Sequence, residues 1–231
     1  MAIVSFKHNF IFLKTTKTAG TSIEVDLSQI AGDDAIVTPI IPPEPGHTPR
    51  NFDDPDGEQP YYNHMTAAVM RKALGPQRFD SMFKFCVERE PVSKCISQYH
   101  MLRNSPHHNA DGAYNLSWAE FVREGRFPID TRKFAIAGVK VVDQVLRYDE
   151  LPFALENLMN DLGVSDFQLT ARAKSDYSRK ALVKPDMVKN WHKTTIKKRF
   201  AKSTKLSGID WDIPAQIDES PQMARPDIQT P

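Results

Sequence analysis

The segment from Phe10 to Ile30 constrains this chain's fold more than any other. Phe10-Ile-Phe-Leu13 is a short apolar run bounded by polar residues, which reads as a buried strand. Lys14 to Ser22 follows as a small, cationic, hydroxyl-rich turn, and Ile23, Leu27 and Ile30 then recur at helical spacing. A turn that leads into a helix exposes the helix's unpaired N–H groups and the positive end of its dipole. Phosphate and sulfate groups bind at such places. The candidate anion-binding residues are Lys14, Lys17, Thr18, Ala19, Gly20, Thr21 and Ser22. The lysines supply charge, the hydroxyls are donors, and Gly20 permits close backbone approach. A Walker A loop places its lysine directly after a second glycine. Here one glycine stands three residues after Lys17, so an ATP-type loop is not spelled out.

The pattern of strand followed by helix recurs. Ala35–Thr38 reads as a short strand, and Met65–Leu74 as a helix stopped by Gly75-Pro76. Phe83–Val87 reads as a strand entering the core, with Pro91 at the first turn of the helix beyond it. Ser117 is placed to cap a helix running to Glu124, Val141–Tyr148 reads as a strand, and Leu151–Leu162 as an amphipathic helix. Such alternation predicts an α/β layered fold with a central, mainly parallel sheet flanked by helices. Between the elements, residues 39–60 carry seven of the chain's 17 prolines, which describes an extended surface loop, functional or merely connecting. Residues 171–205 hold twelve Lys or Arg against Asp176 and Asp186. Three roles are open to this stretch: reaching over donor phosphates, attracting an anionic acceptor, or forming a solvated helix face. One domain is expected over residues 1–209, with a Pro-rich loop at 39–63 and an acidic, Pro-rich tail at 210–231.

Composition excludes several classes. No run approaches the roughly 18 apolar residues of a membrane span, and 40% hydrophobic with 26% charged residues describes a globular chain. Met1–Phe12 has no long apolar core, so no signal peptide is expected. Cys86 and Cys95 form neither a disulfide framework nor a CxxC pair, and His107-His108 lacks further ligands. A cytoplasmic protein without a metal is the expectation.

Lys17-Thr-Ala-Gly-Thr-Ser22 resembles the 5′-phosphosulfate loop of sulfotransferases, in the carbohydrate-type branch with bacterial members. That branch has Pro-Lys-Thr-x-x-Thr-Ser; this chain has Thr16 in place of the proline. Phe83 to Tyr99 resembles the same family's 3′-phosphate motif, with Arg89, Pro91, Ser97 and Tyr99 in its positions and Glu90 where Asn or Asp is usual. His64 to Gly75 resembles a stretch of bacterial members in which a histidine opens a helix. Leu146-Arg-Tyr-Asp-Glu-Leu151 resembles the family's Arg-Tyr-Glu-x-Leu segment. The resemblance runs in patches over residues 9–162.

The resemblance implies a P-loop-like three-layer fold and transfer of a sulfonate from 3′-phosphoadenosine 5′-phosphosulfate to an acceptor hydroxyl or amine, on a glycan or small molecule. It implies Lys17 as the residue stabilising charge on the leaving phosphate, with Arg89 and Ser97 on the 3′-phosphate. Lys174, Ser175 and Arg179 are further donor contacts by position. His64 is the expected general base, since neutral imidazole accepts a proton near pH 7; His47, His100 and Glu24 compete for that role. Neither nucleic acid nor membrane is an expected partner. The alternatives are an ATP-dependent kinase and a non-catalytic protein that binds anions or nucleic acid.

Overall fold

In the computed structural model, residues 2–53, 60–173 and 182–216 are described. The sequence folds around a five-stranded sheet of order β3-β1-β2-β4-β7, with β1 Ala2–Ser5, β2 Phe10–Leu13, β3 Ile36–Val37, β4 Phe83–Glu88 and β7 Gln144–Arg147. β2 pairs in parallel with β4, and β4 with β7, while β1 is antiparallel to both its neighbours. Four of the five strands therefore share one direction, as expected of a mainly parallel sheet. β1 falls in a stretch the sequence reading left without an element. It forms a hairpin with β2 whose turn includes Asn9 at φ 53°, a left-handed conformation that Asn tolerates better than most residues. β5 Ala135–Ile136 and β6 Val139–Lys140 make a separate two-stranded ribbon.

Helices cover both sheet faces, and the alternation of side chains along the strands explains why. Phe10, Phe12, Phe85 and Val87 point to one face, where they meet Ile23 and Leu27 of α1 (Gly20–Ile30) and Leu155, Leu158 and Met159 of α7 (Phe153–Asp161). Ile11, Leu13 and Cys86 point to the other, against Met70 and Leu74 of α2 (Ala67–Leu74) and Phe79 of α3 (Pro76–Ser81). A strand buried on both sides reads as an unbroken apolar run, which is why Phe10–Leu13 was legible. Gly75-Pro76 does end α2, at φ 87° for Gly75, but Pro76 also starts α3, a helix the sequence reading did not include.

A third cluster lies beside the sheet. Val92, Cys95 and Tyr99 of α4 (Pro91–Asn104) pack on Trp118 and Phe121 of α5 (Trp118–Glu124) and on Ile196 and Phe200 of α8 (Asn190–Ser207). A short α6 (Thr131–Phe134) joins this region to the ribbon. α8 resolves part of the basic stretch: Lys193, Lys197, Lys198 and Arg199 are exposed while Ile196 and Phe200 are buried, so on this helix the charge is a solvated face. The start of the acidic tail lies along β7, where Arg147 donates to the carbonyls of Asp210, at 3.2 Å, and Ile213, at 2.9 Å.

Phe85 is the keystone of the first face. It is fully buried, with ring centroids 5.8 Å from Phe10 and 5.2 Å from Phe12. Phe85→Ala should cost about 3–5 kcal/mol of stability in denaturant unfolding. A loss below about 1 kcal/mol would mean that Phe85 does not hold this face of the sheet together.

Candidate functional site

The three parallel strands end on the same side of the sheet, and ligands of open α/β sheets bind outside strand carboxyl ends. There the fold leaves a cleft of about 1020 Å³. Lys14 to Ser22 follow β2, Arg89, Ser93 and Ser97 follow β4, and Tyr148, Asp149, Leu151 and Pro152 follow β7; all line it, with His64 and His100. The candidate anion-binding residues, with His64 and His100, thus border one cavity, whereas Glu24 and His47 are not among its lining residues. Lys174, Ser175 and Arg179 lie outside the described residues.

The turn is built tightly. Lys17 and Ala19 take left-handed φ values of 62° and 57°, conformations that cost a non-glycine residue on the order of 1 kcal/mol each. Hydrogen bonds offset that cost. Thr15 Oγ1 donates to the carbonyl of Val87 on β4 and lies 2.9 Å from Thr18 Oγ1. The Thr16 N–H donates to Asp130 Oδ2 at 2.6 Å and its hydroxyl to Oδ1 at 3.0 Å. A proline at position 16 could not make the first of these bonds. The threonine at position 16 therefore has a partner in Asp130.

Lys14 behaves differently from Lys17. Its Nζ is 2.8 Å from Glu24 Oε2 and 3.0 Å from Thr21 Oγ1, and both charged side chains are buried. Its hydrocarbon stem crosses Gly20, where a Cβ would come within 2.6 Å of Lys14 Cγ. The glycine is required by a lysine stem, a reason that spacing in sequence does not disclose. Thr21 in turn accepts from Lys14, and Ser22 Oγ accepts from the Ala173 N–H at 3.1 Å. Lys17, Thr18, Ala19 and Gly20 line the cleft beside them.

Arg89 leaves β4 and is oriented on three sides. Its Nε donates to Ser93 Oγ at 2.9 Å, one N–H reaches the Lys17 carbonyl at 3.4 Å, and the guanidinium lies 4.1 Å from the centroid of Tyr148. Tyr148 is there because Glu88 and Arg147 are paired in register between β4 and β7. Glu90, unusual for the motif, still does a cap's work by accepting from the Ser93 N–H at 2.7 Å. Ser97 lies one turn beyond Ser93 on the same face of α4 and lines the cleft.

Behind the turn runs a buried charge network that the sequence reading missed. Lys94 Nζ is fully buried and lies 2.8 Å from both Glu88 Oε2 and Asp130 Oδ2. Asp130 Oδ1 is 2.7 Å from Lys133 Nζ, which also donates to Thr16 Oγ1 at 2.9 Å and contacts His64 Nδ1 at 3.2 Å. Burial would raise the pKa of Asp130, but Lys94 and Lys133 overcome it and hold the carboxyl at about 2. Burial pushes the Glu88 carboxyl up instead, against the pull of Lys94. Residue spacing carries no signal of this network, because Lys94 lies off the apolar face of its helix and Asp130 is 36 residues away.

Of the two competing histidines, His100 is engaged by backbone groups. His100 Nε2 accepts from the Leu182 and Val183 N–H groups at 3.1 and 3.2 Å, and burial lowers its pKa. Burial, with Lys14 and Arg50, lowers His47 to about 4. Among the described residues no cluster of three or more His, Cys, Asp or Glu could hold a metal, and no helix is long and apolar enough to cross a membrane.

No family model and no solved structure matches the chain. Half of it, 124 residues, is 27% identical to an uncharacterized protein of Archaeoglobus fulgidus, of which the aligned part covers 98%.

Asp130 carries the next prediction. Its folded pKa lies below the unfolded value, so its stabilisation is present above about pH 4 and disappears as pH falls toward 2. Asp130→Asn should therefore cost about 3–5 kcal/mol at pH 7, the scale of breaking a buried ion pair. The penalty should shrink in unfolding curves taken at pH 3. An equal penalty at both pH values would show that the charge is not what matters.

Proposed function

We propose that this protein is a sulfotransferase of P-loop-like fold, using 3′-phosphoadenosine 5′-phosphosulfate to sulfonate a hydroxyl or amine of a glycan or small molecule. One observation carries the reading. The two segments that resemble the family's phosphate motifs are 72 residues apart at their contact, yet Arg89 donates to the Lys17 carbonyl and both border the same cleft. A phosphosulfate group near Lys17 and the α1 N-terminus would then share its cavity with a 3′-phosphate near Arg89 and Ser97. A cavity of about 1020 Å³ is also large enough for a nucleotide and an acceptor together.

In this reading the acceptor oxygen or nitrogen attacks sulfur in line with the bridging S–O bond. That bond breaks, its electron pair stays on the nucleotide's 5′-phosphate, and the acceptor proton leaves to water in the open cleft. Lys17 and the N–H groups at the start of α1 stabilise the charge growing on the leaving oxygen. Arg89, pre-oriented by Ser93 and Tyr148, recognises the 3′-phosphate through charge-assisted donors and so separates this nucleotide from ATP. Buried free thiols at Cys86 and Cys95 accord with a reducing, cytoplasmic setting. The kinase alternative has no feature of the turn in its favour, because the lysine of a Walker loop is absent from its position.

Calorimetric titration with adenosine 3′,5′-bisphosphate, adenosine 5′-phosphate and ATP tests the reading. The bisphosphate should bind most tightly. Arg89→Ala should weaken it by about 10- to 150-fold, the worth of a charged hydrogen bond, and leave adenosine 5′-phosphate nearly unchanged. Tighter binding of ATP than of the bisphosphate would replace this reading with the kinase. Lys17→Ala should lower turnover about 10²-fold or more while reducing donor affinity less.

A further inference from the structure

His64 stands just before Thr66, the N-cap of α2, on the cleft's edge and with surface open to solvent. Its backbone takes a left-handed φ of 59°, which breaks the chain direction between the preceding loop and the helix. Its Nδ1 lies 3.2 Å from Lys133 Nζ. That ammonium is fixed from the other side by Asp130 Oδ1 at 2.7 Å and Thr16 Oγ1 at 2.9 Å. A lysine ammonium has three donors and no lone pair, so Nδ1 must be the acceptor in this contact. A neutral imidazole carries one proton. With Nδ1 accepting, that proton is on Nε2.

We propose that His64 is a neutral hydrogen-bond donor and not the general base: Lys133 locks it in the Nε2–H tautomer, and Nε2–H serves an oxygen of the phosphosulfate in the cleft. The identity of that oxygen rests on the sulfonyl-transfer reading; the tautomer does not. Lys133 is a positioning residue, held in place by Asp130, and Lys94 keeps Asp130 ionised from behind. The acceptor proton goes to water, because the only lone pair of His64 is already engaged.

Electrostatics points the same way. Burial of the ring lowers the His64 pKa, the ammonium groups of Lys133 and Lys14 lower it further, and Asp130 opposes them without prevailing. A second proton would have to enter on Nδ1, setting an N–H against an N–H and one cation against another. A neutral donor suits a site already dense in cations, since it adds a directed dipole without adding charge repulsion.

Long-range ¹H–¹⁵N correlation spectra of the full chain, with His64→Gln used for assignment, read the tautomer directly. The wild type should show a protonated Nε2 and an unprotonated Nδ1, unchanged between pH 8 and pH 5. The opposite tautomer, or titration near the ordinary histidine value of about 6.5, overturns the proposal. Lys133→Met should raise the ring's pKa toward that ordinary range and free the tautomer, and Lys133→Arg, also a donor without an acceptor, should restore the locked form. No change in the Met variant would remove Lys133 from the proposal's chain of cause, and so overturn it. With 3′-phosphoadenosine 5′-phosphosulfate as donor, His64→Ala should lose about 10²-fold in turnover while His64→Gln, which keeps an amide N–H, recovers at least tenfold of that. Equal loss in both variants would restore the general base and overturn the donor. Absence of any turnover in the wild type would count against the sulfonyl-transfer reading, while the spectra would still decide the tautomer.

Discussion

A single buried carboxylate, that of Asp130, ties the turn between β2 and α1 to the rest of the molecule. It accepts from the Thr16 N–H at 2.6 Å, from the Thr16 hydroxyl at 3.0 Å, and from Lys94 and Lys133 at 2.8 and 2.7 Å. Two residues of the turn hold left-handed backbone conformations, so the turn needs anchors that do not yield. A buried ion pair gains little over well-packed apolar groups, but removing one member leaves a charge without compensation. Once Lys94 is buried, Glu88 and Asp130 must stay, and with them the shape of the turn.

The same network links the turn to the cleft's edge. Lys133 receives its position from Asp130 and Thr16 and passes it to His64. On the opposite side of the turn, Lys14 is drawn back toward Glu24 and Thr21, and so organises the start of α1 while also bordering the cleft.

The local elements were legible where one physical cause sufficed. β2 was readable because burial on both faces demands an unbroken apolar run, and α5 because Ser117 and Glu120 form a reciprocal capping box. β1 was missed because four residues, Ala2–Ser5, carry too little pattern by themselves; pairing with β2 and β3 makes them a strand. α3 was missed because Gly75-Pro76 signals a stop and a start equally well. Lys94 was missed because nothing about a lysine at that position announces two carboxylates, one of them 36 residues away.

The sequence by itself determined that a strand, a cationic turn and a helix would follow one another, since that follows from a short stretch of residue types. It also determined an α/β layered sheet, because strand and helix patterns alternate. What only the tertiary structure decided was partnership. Parallel pairing of β2, β4 and β7 brought Lys17, Arg89 and Tyr148 to one edge of the sheet. Gly20 proved to be needed for the stem of Lys14, and Thr16 for the carboxylate of Asp130. His64 met a lysine 69 residues further along the chain. A hydrogen bond acts over about 3 Å of space, whatever the separation along the chain, and the fold alone sets which groups come within that distance.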